Sequence, residues 1–305
     1  MPLIDSFSCL PAASTLRMAY RLDPWSVPSA LLKVLFSYLI YFVVRILFAT
    51  NLREVFRIVL FGETGKLRLR HGFGTFTVNR NMVLLWAYLL TKGILVYEKA
   101  GKIYVSFNGG TVCTPSIDRI SLLIEPYEKV YRIFDFSRKK VLDVGGYLGE
   151  TAYLFHKWGA SCVVVYEPDD VLSKHAELTL RLNGVNGRLH KAFVGEPCSA
   201  KSVDWQTVLN EGFDVAKVDC EGCEGFLLYV PDEVLRRVPY WVIECHDYET
   251  YRRLEEKFTK AGFITSFRAY YWSGVHCIIS DHNKPSRDVL RAAPLIILSA
   301  SHSFL

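Results

Sequence analysis

Several features that would indicate a non-globular protein are missing from this sequence. The chain has 305 residues, of which 50% are apolar and only 22% are charged. It contains neither an internal repeat nor a low-complexity tract. This composition excludes an intrinsically disordered chain, a collagen-like chain and a coiled coil. The length suits one large domain or two smaller ones.

The chain also lacks a broad excess of basic residues. Its formal net charge is +5 at pH 7, and residues 1–60 hold six Lys or Arg against three Asp or Glu. The rest of the chain is close to neutral, which argues against nucleic acid as a partner. The eight cysteines lie mostly inside apolar runs rather than between turns. That placement predicts reduced cysteines in an intracellular, cytoplasmic protein instead of a disulfide framework.

One long apolar stretch covers residues 30–49, ALLKVLFSYLIYFVVRILFA. Its length would span a bilayer, but Lys33 and Arg45 interrupt it and no signal-peptide cleavage site follows. Three interpretations stay open, namely a buried or dimer-forming helix, a helix in the membrane interface, and a true span. We expect residues 30–60 to make peripheral contact with the inner membrane face or to form a homo-oligomer.

The sequence divides into four predicted segments. Residues 1–61 form an apolar, basic helical segment. Residues 62–115 form a small β-rich cap, with the strand-like runs KLRLRH, GILVYE and KIYVSF and an apolar helix, MVLLWAYLL. Residues 116–282 form the main domain, which opens on a predicted helix over residues 116–136. Residues 283–305 form a C-terminal tail with no clear packing partner.

Strand and helix patterns alternate regularly in the main domain. The apolar runs KKVLDV, SCVVVYE, DVAKVD and YWVIEC are separated by helical segments, and two further strands, FITSFRAYY and VHCIIS, follow them. This alternation predicts an α/β fold with a parallel sheet and helices on both faces. Ligands of such a sheet bind at the carboxyl ends of the strands.

The first strand of the main domain ends in a glycine-rich turn, DVGGYLGET. Such a turn lets a ligand approach the backbone at the start of the next helix. A dinucleotide fingerprint does not fit, because Val144 replaces its first glycine and Asp143 would repel a pyrophosphate. The acid suits a cationic ligand without phosphate, such as S-adenosylmethionine with its sulfonium and α-amino groups. Glu167, at the end of the second strand, is placed to accept hydrogen bonds from ribose hydroxyls.

Four polar side chains follow the third and fourth strands of the main domain. Asp219 and Glu221 lie in KVDCEGCEG, and Glu244 and His246 lie in VIECHD. Because adjacent parallel strands end at the same edge of a sheet, we expect these side chains to meet at one rim. Such a rim could supply a general base, bind a substrate hydroxyl or hold a divalent metal.

The cysteines of the same two motifs raise the question of zinc. Cys220, Cys223 and Cys245 could join His246 as a ligand set. We disfavour this site, because Cys245 and His246 are successive strand residues and point to opposite faces. Small buried thiols are the preferred interpretation.

Taken in order, these motifs resemble those of the FkbM-type methyltransferases, a family of S-adenosylmethionine-dependent O-methyltransferases. VLDVGGYLGET resembles the glycine motif of that family, VVYEPDD its ribose motif, LRLNGVNG its Asn-rich helix end and SVDWQTVL its "tLD" segment. KVDCEGCEG resembles its K-x-D-x-E-G-x-E signature, and VIECHD its strand ending in E-x-H. The resemblance covers residues 115–280. Gly146 departs from the family, which often has Ala there.

The resemblance implies a Rossmann-like, seven-stranded class I methyltransferase sheet with S-adenosyl-L-methionine as cofactor. It also implies methyl transfer to a hydroxyl of a glycan, a lipid headgroup or another small molecule. The implied cofactor-binding residues are Asp143, Gly145, Gly146, Tyr147, Gly149, Glu167 and Pro168. The implied catalytic residues are Asp219, Glu221 and His246, with His246 the natural base and the acids its rivals. No metal ligand is assigned. A cofactor-binding protein without turnover and an NAD-dependent oxidoreductase are the alternatives.

Overall fold

The computed structural model describes residues 54, 57–58, 64–68, 75–78, 94–196, 201–273, 276–280 and 295–301. The apolar stretch at residues 30–49 and the predicted helix MVLLWAYLL lie outside these ranges. Within them, every helix is too short or too polar to cross a bilayer. The chain divides into two compact units. The first comprises residues 1–109, 116–124 and 272–276, and the second comprises residues 110–115, 125–271 and 277–305.

The described part of the first unit contains four strands and one 3-10 helix. They are β1 (Gly65–Arg68), β2 (Thr75–Val78), β3 (Leu95–Lys99), β4 (Lys102–Phe107) and the 3-10 helix Ile117–Ile124. β1 pairs antiparallel with β2, and β3 with β4. Ala100 and Gly101 join β3 to β4 with φ angles of 51° and 71°, which suits a tight hairpin turn. The strands predicted in KLRLRH, GILVYE and KIYVSF are confirmed.

The single helix predicted over residues 116–136 is wrong. The segment instead forms the 3-10 helix Ile117–Ile124 and a separate short helix, α1 (Tyr127–Val130). The break falls at Pro126, which has no N–H to donate and disfavours helical backbone in the residue before it. The apolar spacing of this segment concealed the break, because both short helices bury apolar side chains.

The described part of the second unit contains eleven strands, of which β9 and β10 form a small separate pair. The strands are β5 (Gly110–Thr114), β6 (Lys140–Val144), β7 (Cys162–Tyr166), β8 (Gly187–His190), β9 (Phe193–Val194), β10 (Ser202–Val203), β11 (Val215–Val218), β12 (Tyr240–Cys245), β13 (Ile264–Ser273), β14 (His276–Ser280) and β15 (Leu295–Ser301). Eight of them form the main sheet in the order β14-β13-β15-β12-β11-β6-β7-β8.

Most of the main sheet is parallel. The five strands from β12 to β8 run in one direction, and β15 is antiparallel to both β12 and β13. The predicted α/β, Rossmann-like sheet of seven strands is therefore confirmed for β13 to β8. β14 adds an eighth strand beside β13.

The C-terminal residues belong to this sheet. β15 lies between β12 and β13, and its residues Ile296, Ile297 and Leu298 are buried. The expectation that the tail at residues 283–305 has no packing partner is therefore wrong. A strand inserted between two earlier strands pairs only with residues far away in the chain. A local sequence pattern therefore cannot predict such an insertion.

Helices and a second 3-10 helix follow the strands of the second unit. They are α2 (Glu150–Lys157), α3 (Asp170–Leu182), α4 (Trp205–Leu209), the 3-10 helix Cys223–Tyr229, α5 (Asp232–Leu235) and α6 (Tyr248–Lys260). The Asp169 side chain caps α3 by accepting hydrogen bonds from the N–H groups of Val171 and Leu172, as an N-cap acid does. Because α2 follows β6 and α3 follows β7 in the chain, the first residues of both helices lie at the carboxyl ends of these strands. The candidate site is found there.

Asn183, at the end of α3, explains the Asn-rich motif structurally. Its amide nitrogen donates to the Thr111 carbonyl (2.8 Å), and its amide oxygen accepts from the Thr111 N–H (2.9 Å). Thr179 Oγ1 accepts from the Cys113 N–H at 3.0 Å. These bonds attach β5 to α3.

Candidate active site

The glycine turn after β6 has the conformation that its sequence predicts. Gly145 and Tyr147 have φ angles of 81° and 45°, in the left-handed region that favours glycine. The N–H groups of Gly145 and Gly146 both donate to the Tyr166 carbonyl, at 2.9 and 3.1 Å. A Cβ on Gly145 would lie 1.6 Å from the Asp219 carbonyl oxygen. Only glycine therefore allows the end of β6 to lie so close to the chain that follows β11.

Glu167 connects the end of β7 to this turn. Its Oε2 accepts a hydrogen bond from the Tyr147 N–H, and its Oε1 accepts one from the Asp169 N–H, both at 2.9 Å. Burial raises the pKa of Glu167, while the two backbone hydrogen bonds act in the opposite direction. Each carboxylate oxygen has a further lone pair, so Glu167 can still accept hydrogen bonds from the hydroxyls of a ribose.

Asp143 lies at the end of β6, as predicted, but its side chain contacts groups of this chain. The side chain is fully buried. Its Oδ2 accepts a hydrogen bond from Thr151 Oγ1 at 2.6 Å, and its Oδ1 lies 3.1 Å from Lys217 Nζ. The carboxylate is thus engaged by groups of this chain. Its direct contact with a cationic ligand stays a prediction.

Lys217, which was not among the predicted site residues, lies at the centre of the site. Its side chain is 1% exposed, and Nζ donates to the Gly145 carbonyl at 2.7 Å and lies 3.4 Å from Asp219 Oδ2. Burial opposes the ammonium charge, but the charges of Asp143, Asp219 and Glu150 outweigh it and raise the pKa of Lys217. The sequence did carry a signal, because a lysine inside the buried strand VAKV must be paired to be stable.

The acidic rim predicted at the ends of β11 and β12 is present. Val218 pairs with Ile243 in the sheet, so the next residues, Asp219 and Glu244, lie side by side. Tyr131, just after α1, places its Oη 3.1 Å from Asp219 Oδ2 and 3.0 Å from Glu244 Oε2. Its one proton therefore bridges two carboxylates. Sequence reasoning missed Tyr131, because it is 88 residues away from Asp219 in the chain.

His246 lies among the carboxylates of the rim. Its Nδ1 is 3.2 Å from Glu224 Oε1, and its Nε2 is 3.6 Å from Glu244 Oε1 and 3.7 Å from Glu221 Oε2. Burial lowers the pKa of His246, but the hydrogen bond to Glu224 and the charges of Glu244, Asp219 and Glu221 together raise it to about 9. The raised pKa favours the imidazolium form of His246 at neutral pH, and this form has no free lone pair. This state disfavours its predicted role as general base.

The other acids of the rim differ in exposure. The Glu221 side chain is 81% exposed, whereas that of Glu224 is buried. Glu224 Oε2 accepts a hydrogen bond from the Gly222 N–H at 2.8 Å. Burial and the charge of Asp219 raise the pKa of Glu244. Glu224 was also absent from the predicted site, although it is the last acid of the K-x-D-x-E-G-x-E pattern.

A disulfide joins Cys220 to Cys223 inside the signature loop. The expectation of reduced thiols is therefore wrong for these two residues, while Cys245 is a free, buried cysteine. Their Cα atoms are 5.5 Å apart, a separation that a disulfide can bridge. Sulfurs bonded to each other are not thiolates, so neither is available to zinc in this state. The C-x-x-C spacing of these two cysteines in the sequence was the feature that could have predicted the disulfide.

The site contains more acids than cations. Two cations, Lys217 and His246, interact electrostatically with a larger group of buried or half-buried acids: Glu125, Asp143, Glu150, Asp219 and Glu244. Burial is the main cause that raises the pKa of Glu150, to about 8, and of Glu125. On their own these acids are therefore largely protonated at neutral pH, and a cation bound beside them would lower their pKa values and pair with the carboxylates that form.

Three of these groups could also hold a divalent cation. One ligand atom from each of Asp219, Glu244 and His246 lies within 4.8 Å of the others. Glu224 holds Nδ1 of His246, so Nε2 faces the two carboxylates, as in sites where an outer carboxylate orients a ligating histidine. His246 would have to lose its proton on binding. The arrangement can therefore serve a cationic ligand or a metal.

No family model matches the chain, and no curated protein matches it. Among solved structures, precorrin-6y C5,15-methyltransferase from Geobacter metallireducens GS-15 has 13% identity and a TM-score of 0.37, covering 55% of this chain and 81% of that one. The ribosomal protein L11 methylase from Lactobacillus delbrueckii subsp. bulgaricus has 19% identity and a TM-score of 0.37, with coverage of 62% and 80%. At these values the comparison assigns no activity to this chain.

Proposed function

We propose that this protein is an S-adenosylmethionine-dependent methyltransferase. The observation that carries the proposal is the connection between the glycine turn and Glu167. A left-handed turn follows the first parallel strand, and its Tyr147 N–H is bonded to the carboxylate that ends the neighbouring strand. This places a close backbone approach and a ribose-binding acid at the carboxyl edge of one sheet.

The charge of the site favours this cofactor over a dinucleotide. S-adenosylmethionine carries a sulfonium and an α-ammonium group, and the buried acids around Lys217, whose pKa values are raised, can ionise to pair with these positive charges. A pyrophosphate would add two negative charges to the same region, where repulsion opposes its binding. Val144 also occupies the position where a dinucleotide fingerprint needs glycine.

The finer part of the proposal is methyl transfer to a hydroxyl, as in the FkbM-type enzymes that the motifs resemble. The bound cofactor would supply an electrophilic methyl group. Asp219 is the carboxylate best placed to take the acceptor proton, because it is partly exposed and is held by Tyr131 and Lys217. The exposed Glu221 is the alternative candidate for this general base. The acceptor is a hydroxyl of a glycan, a lipid headgroup or a small metabolite.

Methyl transfer from labelled S-adenosylmethionine into a cell extract tests this proposal directly. We expect mass spectrometry to find a labelled product whose new methyl group is on oxygen. Asp219→Asn should lower the rate about 100-fold or more if Asp219 is the base. Asp232→Asn, a change of the same type in α5, is the control and should leave the rate unchanged.

Two outcomes would redirect the proposal. Tight cofactor binding without any labelled product would indicate the non-catalytic alternative of the same fold. Loss of activity in EDTA, restored by magnesium or manganese, would assign Asp219, Glu244 and His246 to a metal instead. A labelled product with methyl on nitrogen or carbon would keep the methyltransferase and refute the hydroxyl acceptor.

A further inference from the structure

The disulfide lies within the segment that shapes the acidic rim. Cys220 follows Asp219 directly, and Cys223 precedes Glu224 directly. The bond therefore closes the short loop between a carboxylate at the end of β11 and the carboxylate that contacts His246. The proposed methyl transfer gives this crosslink no chemical role, so its position calls for a separate explanation.

The backbone of the closed loop is constrained. Glu221 has a φ of 57° and Gly222 a φ of 121°. A left-handed conformation is unfavourable for a residue other than glycine, and it persists only where the surroundings hold it. Two restraints hold it here. One is the disulfide, and the other is the hydrogen bond from the Gly222 N–H to Glu224 Oε2 at 2.8 Å.

The second restraint depends on the first. Cys220 Sγ lies 3.5 Å from Glu224 Oε2, the same oxygen that accepts the Gly222 N–H. A sulfur in a disulfide has no proton to donate, whereas a Cys220 thiol would donate to that oxygen. Two thiol sulfurs also need more space than two bonded ones. Reduction would therefore both release the loop and introduce a donor that competes for Glu224.

We propose that the Cys220–Cys223 disulfide is a redox-sensitive latch that holds Glu224 against His246 and so keeps the rim in its working geometry. The inference rests on the proposed methyltransferase function, because it concerns the regulation of that same site. Oxidised protein is the active form. Glu224 acts as a positioning residue, and the two cysteines act through it.

The chemical step balances with a dithiol as reductant. A thiolate of the reductant attacks Cys220 Sγ, the S–S bond breaks, and Cys223 leaves as a thiolate that takes up a proton. The second thiol of the reductant then releases Cys220 and forms the reductant's own disulfide, so two electrons and two protons pass to the protein. Cys220 is half-buried and Cys223 fully buried, so attack is directed at Cys220.

The surroundings favour a latch over a disulfide-exchange enzyme. Catalytic C-x-x-C motifs have a thiolate stabilised by positive charge or by a helix N-terminus. Cys223 does begin a short 3-10 helix, but Glu221 and Glu224 flank the cysteines, and their negative charge disfavours a thiolate. We therefore expect slow exchange with small thiols and no oxidoreductase activity of the protein itself.

Full-length protein should be compared after oxidation with diamide and after reduction with dithiothreitol. Alkylation with iodoacetamide and mass spectrometry should show Cys220 and Cys223 protected in the first state and modified in the second. Hydrogen exchange of residues 220–225 should then become faster on reduction. Methyl transfer to the acceptor identified in cell extract should slow by about tenfold, because release of the loop displaces Asp219, which directly precedes Cys220, with unchanged affinity for S-adenosylmethionine.

Two variants sharpen the comparison. The double change Cys220→Ser and Cys223→Ser should give the slow rate in both states. Cys162→Ser alters a free cysteine at the start of β7 and should respond to the reductant as the unchanged protein does. Equal hydrogen-exchange rates of residues 220–225 in the oxidised and reduced states would overturn the latch. A methyl-transfer rate that is the same in both states would also overturn it. Absence of methyl transfer in every state would overturn the proposed function, while the loop exchange would still decide whether the latch exists.

Discussion

At the scale of single residues, the site depends on one buried cation. Lys217 Nζ contacts a backbone carbonyl of the glycine turn and two carboxylates from different strands. Removing its charge would leave Asp143 and Asp219 without their partner. Buried charges that lose a partner are strongly destabilising, whatever the net value of the intact pair.

We expect Lys217→Met to lower the free energy of unfolding by about 3–5 kcal/mol. Urea denaturation followed by circular dichroism measures this. Adding Asp143→Asn to Lys217→Met should recover part of the loss, because the two residues interact and their effects are not additive. Lys174→Met, on the exposed side of α3, is the matched control. A Lys217→Met protein as stable as the parent would refute the central role of this lysine.

The raised pKa of His246 makes a prediction about pH. Its pKa in the folded protein is about 9, against about 6.5 in an unfolded chain. The folded state therefore binds the proton more tightly, so the histidine stabilises the fold fully below pH 6.5 or so and loses this contribution as pH rises through about 9. Titration of the His246 ring by NMR should show the raised midpoint. Glu224→Gln should lower it, and the exposed Glu233→Gln should not. A midpoint near 6.5 in the unchanged protein would contradict this electrostatic picture.

Individual residues also show where sequence reasoning succeeds and where it stops. Gly145 and Glu167 could be found because each terminates a recognisable strand and their roles follow from local geometry. Tyr131 and Lys217 could not be assigned a role, since their partners lie on other elements and become neighbours only through the sheet order. His246 was found, but the charge on its ring depends on four surrounding carboxylates that no linear pattern shows.

At the scale of elements, the alternation of strands and helices was sufficient to predict four of the five parallel strands. β6, β7, β11 and β12 are short and apolar, so each could be predicted locally. β8 was missed, because its sequence, GRLH, is mostly polar and it is exposed or half-buried at the sheet edge. β15 was missed as a sheet strand, because it pairs antiparallel between two earlier strands. The helix predicted across residues 116–136 failed at Pro126, where backbone chemistry outweighs apolar spacing.

The close approach of β6 and β11 gives a test at this scale. In Gly145→Ala, the new Cβ would meet the Asp219 carbonyl at 1.6 Å, so the ends of the two strands must move apart. We expect a clear loss of thermal stability and loss of S-adenosylhomocysteine binding. Gly184→Ala is the matched control, because its φ of 62° is also left-handed but nothing lies within 4 Å of its Cβ position. That change should cost only about 1 kcal/mol of backbone strain. Equal melting temperatures for the two variants would refute the crowding argument.

At the scale of the whole molecule, the apolar segment at residues 30–49 is the part that the proposed chemistry does not use. Ile58 is fully buried, so a truncation that tests this segment should keep it. We expect full-length protein to pellet with membranes or to run as an oligomer, and a chain beginning at Asn51 to stay in solution and still bind S-adenosylhomocysteine. Fractionation and light scattering measure this. A monomeric full-length protein that is soluble without detergent would contradict the association.

The central claim is that the glycine turn and Glu167 form a binding site for S-adenosylmethionine. Isothermal titration calorimetry with S-adenosylhomocysteine tests it most directly, since no acceptor is needed. We predict one site per chain, no heat with NAD, and a loss of roughly 1–3 kcal/mol of binding free energy in Glu167→Gln, with no change in the exposed Glu177→Gln. Absence of binding, binding of NAD instead, or equal affinity in Glu167→Gln would contradict the account.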